Sequence, residues 1–179
     1  QHSRVFVVQL TPLLKVALKW LAAAVAGARP RSVRLLGDEV GHAVAFVDAS
    51  GSGWLAALLI SPNGKRLFTR VFLEETYIEF LRPRGNYIQF LEMAAAFLLL
   101  VSFPDELRNT ELDLYCDNIA QQGALRRGFS RAWDFAIVAG VFWSKASELC
   151  IDVWTERVPS TYNPSDYPTR FVDKDANSY

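Results

Sequence analysis

The spacing of apolar positions changes several times along this 179-residue chain, and each change marks an element. Over residues 11–27, Leu13, Leu14, Ala17, Leu18, Leu21 and Val25 recur at helical spacing. Thr11 can cap that helix, Pro12 suits its first turn and Gly27 can close it, so a core or packing helix is expected. Three short apolar runs follow at 43–49, 54–60 and 66–73, the last two joined by the hairpin turn Pro62-Asn-Gly64. They predict three consecutive antiparallel strands. Residues 74–87 show no clear period and read as loop, with room for a short irregular turn. Helical spacing resumes over 88–101, with Ile88, Leu91, Ala95, Leu98 and Leu99 on one face and Asn86 or its neighbour as cap. A fourth strand is predicted over 112–116, helices over 118–126 and 132–149, and a fifth strand over 151–158 with Val153 and Trp154 inward. Pro159 and Pro164 then break the chain before a short helix around Asp166. Three strands followed by alternating helix and strand specify a mixed five-stranded sheet flanked by helices, an α/β fold.

A hydrophobic content of 51% with 21% charged residues describes a globular chain. Its expected organisation is an N-terminal helix and connecting segment over 1–40, one domain over 41–172 and a tail over 173–179. Lys+Arg and Asp+Glu both total 19, so no global positive field attracts a polyanion, and any such binding needs a local patch. The best patch is Arg126-Arg-Gly-Phe-Ser-Arg131, where Arg126, Arg127 and Arg131 can meet phosphate and Phe129 a sugar; a solvated helix end is the plain alternative. Arg29, Arg31 and Arg34 can do the same or belong to a solvated linker. Cys116 and Cys150 sit in apolar stretches without metal-ligand spacing and are expected to be buried, reduced thiols. The N-terminus lacks a secretory pattern, and the apolar run 16–26 is interrupted by Lys19 and too short to span a bilayer. A soluble, intracellular protein without a membrane partner is expected. Opening on Gln1 rather than Met suggests a fragment or processed product.

The chemistry concentrates in carboxylates. Asp48 ends the apolar run Ala43-Val-Ala-Phe-Val-Asp48 and is followed by Ser50-Gly-Ser-Gly53. An ionised acid at the end of a buried strand is costly unless a cation stands beside it, and a metal ion is the natural candidate. Glu92 lies one turn inside an apolar helix, Asp117 ends the strand Leu112-Asp-Leu-Tyr-Cys-Asp117, and Asp166 falls in Asn163-Pro-Ser-Asp-Tyr-Pro-Thr-Arg170. Each has an ordinary alternative: a turn cap for Asp48, a solvated helix charge for Glu92, a helix cap for Asp117 and for Asp166.

Strand-end Asp, helix Glu, strand-end Asp and late Asp, in that order, resemble the ribonuclease H family over roughly residues 40–172. The closing string Val158-Pro-Ser-Thr-Tyr-Asn-Pro-Ser-Asp-Tyr-Pro-Thr-Arg170 is similar to ribonuclease H domains that follow reverse transcriptases in retroelement polyproteins. The resemblance implies an endonuclease that cuts the RNA strand of RNA–DNA hybrids, with a covalently linked or associated reverse transcriptase as partner. It also implies two Mg²⁺ ions, replaceable by Mn²⁺, held by Asp48, Glu92, Asp117 and Asp166 as both catalytic and metal-ligating residues. Oxygen ligands suit such hard cations, and a pair of them can clamp the attacking water and leaving oxygen of a phosphodiester. Contacts to 2′-hydroxyls are implied near Ser50, Gly51, Ser52, Asn118 and Gln121; Ser50, Ser52 and Asn118 read equally as turn and cap residues.

Two departures stand out. The loop His that many cellular relatives carry before the last Asp is missing, since His2 and His42 both precede Asp48. The family's Trp-rich basic protrusion is reduced to residues 126–131. A non-catalytic module of the same fold, for scaffolding or nucleic-acid binding, is the alternative from another class. Integrases place their Glu after the second Asp and proofreading exonucleases carry Asp-x-Glu on the first strand, and this chain matches neither.

Overall fold

The computed structural model describes residues 10–27, 40–85 and 87–170. The chain divides into two units, Gln1–Asp38 and Glu39–Tyr179. In the first, α1 spans Pro12–Gly27, and the Thr11 hydroxyl accepts from the Leu14 amide at 3.2 Å, as its capping position requires. Leu14, Leu18, Leu21 and Val25, expected on a packed face, are exposed. Arg29, Arg31 and Arg34 lie outside the described residues.

The second unit runs β1 (Gly41–Ala49), β2 (Trp54–Ile60), β3 (Arg66–Phe72), α2 (Glu75–Leu81), α3 (Tyr87–Ser102), α4 (Pro104–Leu107), β4 (Thr110–Cys116), α5 (Ile119–Arg127), α6 (Trp133–Glu148), β5 (Asp152–Arg157) and α7 (Asp166–Arg170). The five strands form one sheet in the order β3-β2-β1-β4-β5. β1, β2 and β3 pair antiparallel, whereas β1–β4 and β4–β5 are parallel. The mixed sheet read from the sequence is therefore the observed one.

Small residues decide how closely helix and sheet approach. Ala43, Ala45, Ala49, Ala56 and Ala57 of the sheet and Ala95 and Ala96 of α3 are all buried, and α3 packs on β1, β2 and α6. Leu59, Leu91, Met93, Leu99, Leu114, Leu125 and Phe142 fill the space around them. Burying one such side chain stabilises the fold by about 1.5–3 kcal/mol.

Several local expectations are corrected. Residues 74–87 are not merely loop: α2 and a 3-10 turn at Arg82–Arg84 occupy most of them. Only Ile78 and Leu81 of α2 are buried, one helical turn apart, too few to display a period. α4 was likewise unannounced, being one turn of helix opened by Pro104. In β5 Val153 packs against the core as expected and Thr155 is buried on the same face, but Trp154 is exposed, its ring beneath the Arg126 guanidinium at 5.3 Å. Cys116 is buried but Cys150 is exposed. Cys150 sits at φ +56° in the turn between α6 and β5, where Leu149 and Ile151 take the inward positions on either side. Asn86, offered as the α3 cap, lies outside the described residues.

Candidate active site

Parallel pairing of β1 with β4 sets the geometry. Phe46 faces Tyr115 across the ladder, and the same offset carried two residues on brings Asp48 beside Asp117. Both acids therefore stand at the carboxyl ends of adjacent parallel strands, the side of an open α/β sheet where ligands bind. The turn after β1 is held open by Gly53, whose φ of +104° and close approach to the Leu73 carbonyl leave no room for a side chain. Tyr87, the first residue of α3, donates its hydroxyl to the Gly51 carbonyl at 3.3 Å and ties that helix to the same turn.

Glu92 enters from α3, half-buried. The Asn118 amide donates to its carboxylate. Asn118 also caps α5, its Oδ1 accepting from the amides of Ala120 at 2.7 Å and Gln121 at 3.2 Å. The cap of α5 is thus Asn118, and Asp117 is left for other work. Gln121, expected near the substrate, is buried and donates to the Glu92 carbonyl at 2.8 Å, fastening α5 to α3.

The last carboxylate arrives through residues that sequence reasoning quoted only as part of a string. Asn163 donates to the Val47 carbonyl at 3.0 Å and Ser165 to the Phe46 carbonyl at 2.8 Å, pinning the segment before α7 along β1. Thr169 then donates to Asp48 Oδ2 at 2.5 Å, and Asp166 pairs with Arg170 at 2.7 Å. Asp117 Oδ2 accepts from Ser160 Oγ at 2.7 Å. Small polar residues interleaved with prolines, at 160–169, were the only signal for these supports.

The acids feel one another. Burial pushes the Asp48 carboxyl up to about 6, with Asp117 and Asp166 adding to the rise and the Thr169 hydroxyl opposing it. Burial likewise pushes Glu92 up to about 7, with Asp117 and Asp48 adding and Asn118 opposing. Cys116, in contact with the same field, rises to about 12, first from burial and then from Asp117 and Glu92, and is inert as a nucleophile. All four carboxylates are oxygen donors suited to a hard divalent cation. As the side chains stand, however, no three His, Cys, Asp or Glu among the described residues form a group that could hold a metal ion. Each acid is turned to its own partner: Thr169, Asn118, Ser160 or Arg170.

Around the acids, Ser50 and Ser52 share a hydroxyl hydrogen bond of 2.7 Å, and Gly51 and Ser52 are exposed. Arg126, Arg127 and Arg131 are exposed at the end of α5 and beyond it, with Phe129 exposed between them. No helix among the described residues is long and apolar enough to cross a membrane.

No family model and no curated protein matches the chain. Among solved structures, it is similar to RNase H1 from the halophilic archaeon Halobacterium salinarum at 14% identity and TM-score 0.50, covering 72% of this chain and 92% of that one. LC11-RNase H1, isolated from compost by a metagenomic approach, aligns at 10% identity and TM-score 0.47, over 72% and 90% of the two chains. The foamy viral protease-reverse transcriptase dRH aligns at 13% identity and TM-score 0.40, over 88% of this chain and 27% of that one. The fold is the RNase H fold, as the order of the carboxylates led us to expect.

Proposed function

We propose that the second unit is an endonuclease that hydrolyses the RNA strand of RNA–DNA hybrids with divalent metal ions. We place it as the RNase H domain of a retroelement polyprotein, linked to or associated with a reverse transcriptase. The observation that supports this most is that the β1–β4 register sets Asp48 beside Asp117 and that Glu92, from a facing helix, feels the charge of both. An enclosed excess of negative charge favours a divalent cation.

Asp48, Glu92, Asp117 and Asp166 would hold Mg²⁺, as a pair of ions, with Mn²⁺ able to substitute. Such ions, when bound, activate the attacking water and stabilise the leaving oxygen of a phosphodiester. The chain's own residues orient the acids: Asn118 steadies Glu92, Ser160 steadies Asp117 and Thr169 steadies Asp48. Ser50, Gly51 and Ser52 offer hydroxyl and backbone groups to the 2′-hydroxyls that distinguish RNA. Asn118, which donates to Glu92, is a further candidate for such a contact. Arg126, Arg127 and Arg131 would supply a local positive patch on a chain of zero net charge.

Incubation with an end-labelled RNA–DNA hybrid and Mg²⁺ or Mn²⁺ tests the reading. Cleaved RNA on intact DNA is expected, and inert wild-type protein overturns it. A second reading, a non-catalytic nucleic-acid-binding module, is favoured by the acids being turned to separate partners. It expects hybrid binding without cleavage in the same assay.

A further inference from the structure

Four acids at one place, without bound metal, repel a polyanionic substrate, and a cation at the rim offsets that repulsion. Arg157 and Arg170 lie beside two of the carboxylates. Arg170 is already paired with Asp166 at 2.7 Å. Arg157, the last residue of β5, differs: its Nε donates to the main-chain carbonyl of Asp117 at 3.3 Å, and it has no carboxylate partner among the described residues. It faces Cys116 in the ladder, and its charge is felt there, one residue before Asp117. Its side chain is exposed.

A hydrogen bond to a neutral carbonyl orients a guanidinium without neutralising it. The other N–H donors of the planar fork remain for an anion, and paired phosphate oxygens match that fork. Ser160, three residues on, holds the Asp117 carboxylate at 2.7 Å, so one short segment fixes both the acid and the cation beside it. We propose that Arg157 anchors a backbone phosphate of the nucleic-acid strand lying over Asp117, acting as a substrate-positioning residue. The residue stands apart from the basic stretch 126–131 and was not a sequence candidate. This inference rests on the hybrid-nuclease reading for the identity of the strand.

The test measures binding of a labelled RNA–DNA hybrid in EDTA across a salt series, for wild type, Arg157→Ala and Arg157→Lys, with KM and kcat in Mg²⁺ alongside. Arg157→Ala is expected to weaken binding roughly five- to tenfold and to reduce the salt slope by about 1, which a lost phosphate contact produces. KM should rise by a similar factor while kcat changes less, and Arg157→Lys should restore the salt slope but only part of the affinity. An unchanged slope overturns the proposal. So does a fall in kcat with unaltered affinity and a lowered melting temperature, the signature of a residue that only supports Asp117. Wild-type protein that binds but does not cut defeats the nuclease reading and leaves Arg157 to be judged by its slope. A wild type that cuts, matched in every respect by Arg157→Ala, defeats the arginine alone; absence of hybrid binding by wild type defeats both.

Discussion

Thr169 donates its hydroxyl to the Asp48 carboxylate at 2.5 Å across 121 residues of chain, and both side chains are buried. The bond lowers the Asp48 pKa against the larger effect of burial, so Thr169 keeps that acid available as an anion. Thr169→Val should destabilise the protein by about 1–2 kcal/mol, because a buried carboxylate loses a donor. The acid limb of the cleavage pH profile should move to higher pH. Thr169→Ser should restore both; a profile unmoved in Thr169→Val would show that the hydroxyl does not tune Asp48.

Asp48→Asn replaces a buried charge by a neutral amide of nearly equal size. In EDTA at pH 8 its melting temperature should equal or exceed that of wild type, since like-charge repulsion from Asp117 and Asp166 is relieved. Mg²⁺ should raise the melting temperature of wild type, by about 2.7 kcal/mol of stability at a hundredfold excess over Kd. It should leave Asp48→Asn unmoved, and hybrid cleavage should be lost. Equal Mg²⁺ stabilisation of the two proteins would place the ion elsewhere.

The raised carboxyls make the metal-free protein sensitive to pH. Asp48 moves from 3.8 to about 6 and Glu92 from 4.5 to about 7, so between those values the folded state binds more protons than the unfolded one. Stability therefore falls as pH rises: the contribution is complete below about pH 4 and is lost through pH 6–7. The two acids interact, which leaves a combined loss on the order of 2–4 kcal/mol. Denaturant titrations in EDTA from pH 4 to 8 should show the gap between wild type and an Asp48→Asn/Glu92→Gln variant shifting in the variant's favour across that window. A constant gap would contradict the shifts.

Asn118 joins two functions that substitution can separate. Asn118→Ala loses both the α5 cap and the donor to Glu92, and should destabilise by about 1–2 kcal/mol. Asn118→Ser keeps an oxygen for the cap but lacks the amide donor. It should recover most of the stability while the Glu92 pKa climbs further and activity at neutral pH falls. Full activity in Asn118→Ser would mean that Glu92 does not depend on this contact.

Much of the candidate site was legible because its residues carry local marks. Asp48 and Asp117 each follow an apolar strand run, and Glu92 interrupts an apolar helix. A charge in such company is visible without coordinates. The supports were not legible: Ser160, Asn163, Ser165 and Thr169 are ordinary loop residues until folding sets them against Phe46, Val47, Asp48 and Asp117. Gln121 shows the converse, since a polar residue on a short helix reads as exposed, yet this one is turned inward to α3. α2 escaped because only two of its residues are buried.

The sequence by itself determined the five strands, the longer helices, their order and the acids they carry, because the period of apolar burial and the preferences of turn residues act over a few neighbours. Only the tertiary structure decided that β1 and β4 lie side by side and parallel, bringing Asp48 beside Asp117. It alone decided which partner each carboxylate faces, and it left Arg157 beside Asp117. Those relationships depend on groups brought together from distant parts of the chain, and burial and Coulomb interaction act on separation in space rather than along the sequence.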